Sequence, residues 1–237
     1  MREKVLFFSS LLLLAATAAF GQSAVFLRED FNDLSLWRPL SFPKVEKQSR
    51  YEIVIQGPLS YLRAESQASA SGLVLKREFN VYQYPIIRWR WKVDSVYQKG
   101  DVRTKDGDDY PFRVYVIFKS SSSDEGLIEK LKRSTFRMFY GESLPSNSLN
   151  YVWANSGHPD AIITSPYTDH SKIILLQRGT ANIGRWIDEE VNILKDFDRA
   201  FNRKPPETAT VALMNDSDNT GESSVSYMDW IEIRKDY

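Results

Sequence analysis

Between positions 86 and 93 the chain reads Ile-Ile-Arg-Trp-Arg-Trp-Lys-Val, and from Ile87 onward apolar and cationic residues alternate without a break. Successive side chains of an extended strand leave opposite faces. Ile87, Trp89, Trp91 and Val93 therefore share one face, and Arg88, Arg90 and Lys92 the other. Wound into a helix, the same residues would spread both kinds around the circumference. The segment has to be a strand, core on one side and charged on the other. Runs rich in β-branched and aromatic residues recur at 51–55, 73–79, 113–118, 172–177, 185–191, 208–214 and 227–233, separated by clusters of Gly, Pro, Asn and Ser. Short strands spaced by turn signals predict an all-β fold, an antiparallel jelly-roll-like β-sandwich, rather than alternating strands and helices.

Two short helices are expected among the strands. One starts after Asp124, carries Leu127, Ile128, Leu131 and Thr135 at helical spacing, and ends near Gly141. The other spans 193–201, with Ile193, Leu194, Phe197 and Phe201 forming a stripe that Pro205 and Pro206 would end. Both read as lids on the sandwich. With no internal repeat or linker, residues 22–237 read as a single β-sandwich domain.

The N-terminus reads as a secretory signal peptide over residues 1–21: charged Met1-Arg2-Glu3-Lys4, an apolar run from Val5 through Leu14, then small residues to Gly21. That apolar core falls short of the ~20 residues a membrane span needs. Cleavage is expected between Gly21 and Gln22, giving a periplasmic or secreted mature chain without a membrane span. The sequence has no cysteine, which excludes disulfides, thiolate metal sites and a lipid-modified cysteine. Basic and acidic residues number 31 each. No basic stripe stands out, so no nucleic-acid partner is expected. Six Trp, twelve Tyr and thirteen Phe suit strands first and sugar stacking second.

Two acidic turns concentrate what chemistry there is. Lys105-Asp106-Gly107-Asp108-Asp109-Tyr110-Pro111 precedes one strand, and Asn215-Asp216-Ser217-Asp218-Asn219-Thr220-Gly221 follows another. Carboxylates and amides so spaced offer a hard cation several oxygens, so Asp106, Asp108, Asp216 and Asp218 are candidate ligands for calcium, the one cofactor suggested. Neither turn has EF-hand spacing, and the same residue types serve any turn through local hydrogen bonds. If both turns meet at one end of the sandwich, their acids repel unless a cation, an arginine or a proton intervenes. Arg113 and Arg178 are candidates to hold a carboxylate, as a structural tie or as a grip on an acidic ligand. Trp153 could offer a ring to a sugar, though a strand tryptophan more often lies in the core. The expected ligand-binding set is Asp108, Asp109, Arg113, Trp153, Arg178, Asp216, Asp218 and Asn219. His158 and His170 match no metal or triad spacing, and no phosphate loop, dinucleotide fingerprint or Gly-x-Ser-x-Gly elbow is present.

The order of these pieces resembles the DUF3047 family of bacterial secreted or periplasmic proteins. The resemblance is carried by Trp89 and Trp91; Gly107, Asp108 and Asp109; Arg113, Tyr115 and Phe118; Tyr151 and Trp153; Trp186 and Glu190; and Asp216, Asp218, Asn219 and Thr220, over about residues 25 to 235. Ser217 stands where the family pattern has threonine. Segments 29–33 and 227–233 resemble the end strands of jelly-roll lectin-like and carbohydrate-binding modules, whose pairing would close the fold. The family implies a sandwich and an envelope location, with no established reaction. Three readings stay open: a module binding a carbohydrate or other polar small molecule at the acid-rich end, a glycan-active enzyme using the same carboxylates, and a structural envelope protein.

Overall fold

A computed structural model describes residues 24–119 and 147–236. The expected signal segment and the first expected helix lie outside these residues. The strands are β1 (Val25–Glu29), β2 (Trp37–Leu40), β3 (Arg50–Gln56), β4 (Leu59–Gln67), β5 (Ala70–Leu75), β6 (Phe79–Asn80), β7 (Ile86–Val93), β8 (Arg113–Lys119), β9 (Asn147–Ala154), β10 (Ile162–Ser165), β11 (Thr168–Arg178), β12 (Ile187–Asn192), β13 (Thr208–Asp216) and β14 (Ser223–Arg234). They form two sheets of a jelly-roll-like sandwich. One runs β12-β7-β14-β4-β3, with β1 also on β14, and the other β10-β11-β9-β8-β13-β5-β2, with β6 also on β13. First and last strands pair as expected, but the first is Val25–Glu29 rather than 29–33, with Leu27 opposite Ile233.

The alternation in β7 does what its period dictates. Ile87, Trp89, Trp91 and Val93 are wholly buried, and they meet the inward residues of the other sheet, with Trp91 5.7 Å from Trp153 and Trp89 5.8 Å from Tyr151 between ring centres. The opposite face is not left cationic. Arg88 pairs with Glu190 on β12, and Arg90 with Asp188 on β12 and Asp229 on β14.

Two features depart from expectation. The sandwich is not antiparallel throughout, because β11 inserts between β9 and β10 and so runs parallel to β9. The other, since the first expected helix lies outside the described residues, is the end of the single helix described, α1 (Ile193–Phe201). Its N-cap Asn192 accepts hydrogen bonds from the N–H groups of Leu194 and Lys195, and Phe197 packs on Phe118 at 4.7 Å. It ends at Asn202, in the left-handed conformation with φ 52°, before either proline is reached.

At one end the space between the sheets turns polar. Buried Asn215 donates to the Ala64 carbonyl and the Ser226 hydroxyl, accepts from Tyr97 and Ser224, and takes the Tyr51 hydroxyl on its N–H. This network fixes the end of β13, from which the second acidic turn departs.

Candidate functional site

The two acidic turns meet. Buried Asp109 accepts hydrogen bonds from the backbone N–H of Thr220 at 2.6 Å and of Asn219 at 3.4 Å, so a carboxylate from one turn caps the other. The first turn is held from behind. Its Gly107 carbonyl accepts the Asp101 N–H at 2.9 Å. A Cβ at position 107 would stand 2.4 Å from that same nitrogen, which is why glycine occupies it.

Arg113 anchors the cluster. It is 3% exposed, and its guanidinium grips Asp216 twice, with Nε to Oδ1 at 2.8 Å and a closer contact to Oδ2. It also donates to the Asp108 carbonyl at 3.0 Å and lies 3.7 Å from the Asp108 carboxylate. The Tyr110 and Tyr115 rings flank it at 4.7 and 5.7 Å. Arg113 and Tyr115 project from the outer face of β8, since Val114, Val116 and Phe118 point into the core. Directly across from Tyr115, on β9, is Asn150.

Three buried polar atoms in this cluster have no hydrogen-bond partner: Asp108 Oδ1, Tyr110 Oη and Asn150 Oδ1. Asp108 and Tyr110 stand close enough that the hydroxyl holds the carboxyl down and the carboxylate pushes the phenol up. Burial pushes the Asp108 carboxyl up to about 6, against the pull of Arg113. Between about pH 4 and 6 the folded chain therefore holds a proton that the unfolded chain has lost. Folding stability falls as pH rises through that window, and above it the ionised carboxylate is a standing cost. We expect wild type to gain of the order of 2 kcal/mol relative to Asp108→Asn on going from about pH 7 to about pH 4. Urea denaturation of both proteins at both pH values checks this, and a difference independent of pH refutes it.

Above the buried cluster lies an exposed rim. Asn219 Nδ2 donates to the Lys105 carbonyl at 2.6 Å and to the Tyr167 hydroxyl at 2.8 Å, tying the second turn to the β10–β11 hairpin. Partial burial, then the charge of Asp109, raises the Asp218 carboxyl above its ordinary value.

Of the residues expected from sequence, Asp108, Asp109, Arg113, Asp216, Asp218 and Asn219 come together. Arg178 does not join them: it is exposed and donates to the His158 carbonyl at 2.8 Å. Trp153 has no exposed surface, its indole N–H donating to Gly179 O at 3.2 Å. It is a core residue and presents no ring to a ligand. For the expected cation, the carboxylate oxygens that lie within 4.8 Å of one another belong to Asp109, Asp216 and Asp218. Asp106 is exposed outside this group. A calcium ion there would compete with Arg113 and two backbone N–H groups for the same oxygens, well short of the 6–8 free oxygen ligands it prefers. Sequence reasoning missed Tyr110, Asn150 and Tyr167. The spacing of Arg113 and Tyr115, two apart on one strand, was the available signal for the outer face.

The sequence model of the family described as "Protein of unknown function (DUF3047)" matches residues 35–232. No curated protein matches the chain. Similar solved structures include the seed lectin of Lotus tetragonolobus, at TM-score 0.43 and 10% identity over 89% of this chain and 97% of that one. Another is the family 30 carbohydrate-binding module of a Clostridium thermocellum cellulase, at TM-score 0.40 and 10% identity over 84% and 94%. A third is the family 11 xylanase of Neocallimastix patriciarum, at TM-score 0.40 and 9% identity over 88% and 95%.

Proposed function

Because the chain belongs to the DUF3047 family, whose description assigns no activity, its function has to be read from its own side chains, and from them we propose an exported, non-catalytic binding module. Its ligand is a hydroxyl- or amino-rich small molecule of the carbohydrate kind, held at the acid- and tyrosine-lined end of the sandwich. The observation that carries this is the set of unpartnered buried atoms, Asp108 Oδ1, Asn150 Oδ1 and Tyr110 Oη. A buried polar atom left unpaired costs about 1–3 kcal/mol, and two of these three can only accept. Asp108 and Asp216 place two carboxylates against the single positive charge of Arg113. That balance favours a ligand that brings O–H or N–H donors. Tyr167, Asp218 and Asn219 supply an exposed, prefixed rim that such a ligand crosses.

The test uses chain exported with its own leader, whose intact mass should begin at Gln22. Titration calorimetry with neutral and amino oligosaccharides should detect binding without bond cleavage. Asp218→Asn should weaken it about tenfold or more, the loss of one charge-assisted hydrogen bond, with the denaturation midpoint unchanged. Equal affinity in wild type and variant, or no binding, would overturn the proposal. Release of shortened sugars would replace it with the enzyme reading.

A further inference from the structure

The outer face of the six-stranded sheet carries a feature that the acid-lined end does not use. Lys92 on β7 and Tyr227 on β14 are directly opposed. Tyr61 comes from β4, on the other side of β14, and Trp186 from the residue just before β12. Their three rings meet edge to face, with centres 6.0 Å apart for Tyr61–Trp186, 5.8 Å for Tyr61–Tyr227 and 6.3 Å for Trp186–Tyr227. Lys92 Nζ lies 4.1 Å from the centre of the Tyr227 ring and 5.3 Å from that of Trp186. Trp186 is nevertheless 39% exposed, and both tyrosines are half-buried.

We propose that this cluster is a second ligand site, which takes the ring of a neutral sugar. Mutual edge-to-face contacts hold the rings in place, so a ligand that lands on them immobilises little. Lys92 is faced by the rings themselves, and several other charges around the cluster are matched by opposite ones. Arg63 bonds Glu52 and Glu65, the Tyr227 hydroxyl donates to Asp94, and Arg90 pairs with Asp188 and Asp229. What stays open is an indole surface bordered by fixed donors and acceptors, the chemistry that complements a sugar's C–H face and hydroxyl edge. A protein partner would need roughly 800 Å² on each side, far beyond one partly exposed tryptophan and two half-buried tyrosines. The acid-lined end faces outward from the opposite sheet, so each site can be filled while the other is empty.

The experiment is a titration of the mature protein with neutral hexasaccharides of glucose, xylose and mannose, followed by calorimetry and by tryptophan fluorescence. One of them should bind and perturb the indole emission. Trp186→Ala should weaken that binding about tenfold or more and leave the melting temperature unchanged, Trp186→Phe should retain most of the affinity, and Asp218→Asn should have no effect on it. The proposal is overturned if Trp186→Ala binds as wild type does, if none of the hexasaccharides binds, or if only anionic sugars bind and salt abolishes the interaction.

Discussion

Replacing Asp216 with Asn is expected to destabilise the protein by about 3–5 kcal/mol, the range for breaking one partner out of a buried ion pair. Asp216 is 1% exposed and holds the buried Arg113 through both carboxylate oxygens. The substitution keeps the shape but removes the charge and turns an amide N–H₂ toward a guanidinium that can only donate. The remaining carboxylate near Arg113 belongs to Asp108 at 3.7 Å, too far for a short charge-assisted bond. Asp218→Asn, an exposed position in the same turn, should stay within about 0.5 kcal/mol of wild type. A double-mutant cycle makes the assignment specific: in an Arg113→Met background, Asp216→Asn should cost far less than it does alone. A loss below about 1 kcal/mol in the wild-type background would show that Asp216 does not secure Arg113.

Trp153→Ala should cost a similar amount, about 3–5 kcal/mol, the range for emptying a large aromatic site in a packed interior. The indole lies 5.7 Å from Trp91 across the sandwich and bonds Gly179 O at 3.2 Å, so truncation opens a cavity and takes the donor from a partly buried carbonyl. Trp153→Phe restores most of the volume but not the donor, and should recover part of the loss. Both effects should appear in chemical denaturation. If Trp153→Ala left stability near wild type, the assignment of this ring to the core would be wrong.

The two aspartates show where sequence reading stops. Both sit in one short acidic turn, and local composition treats them alike. Asp216 is the last residue of β13, two positions beyond Met214, which lies opposite Arg113, and so it continues the outer face of the strand down to that guanidinium. Asp218 falls beyond the strand, in the turn. Where a strand ends is decided by pairing with its neighbours, and a single chain read in order does not display them. The same limit explains the rest. β7 was legible because its alternation is strict, and α1 because its apolar stripe is local. β4 was not, since its inward residues Leu62, Ala64 and Ser66 are neither β-branched nor aromatic. Asn150 was invisible as a site residue because only the β8–β9 register sets it beside Tyr115.

Strands β13 and β14 both lie inside their sheets, and β14 is the middle strand of its own. β13 is flanked by β8 on one side and by β5 and β6 on the other, while β14 is flanked by β7 and by β4 and β1. A growing chain that has not yet released β13 and β14 therefore lacks an inner strand of each sheet, and its earlier strands wait with unsatisfied edges. Such late, non-local pairing gives high contact order and slow folding. Folding is thus expected to wait for β14, and any truncation that removes β14 takes the central strand of a whole sheet with it.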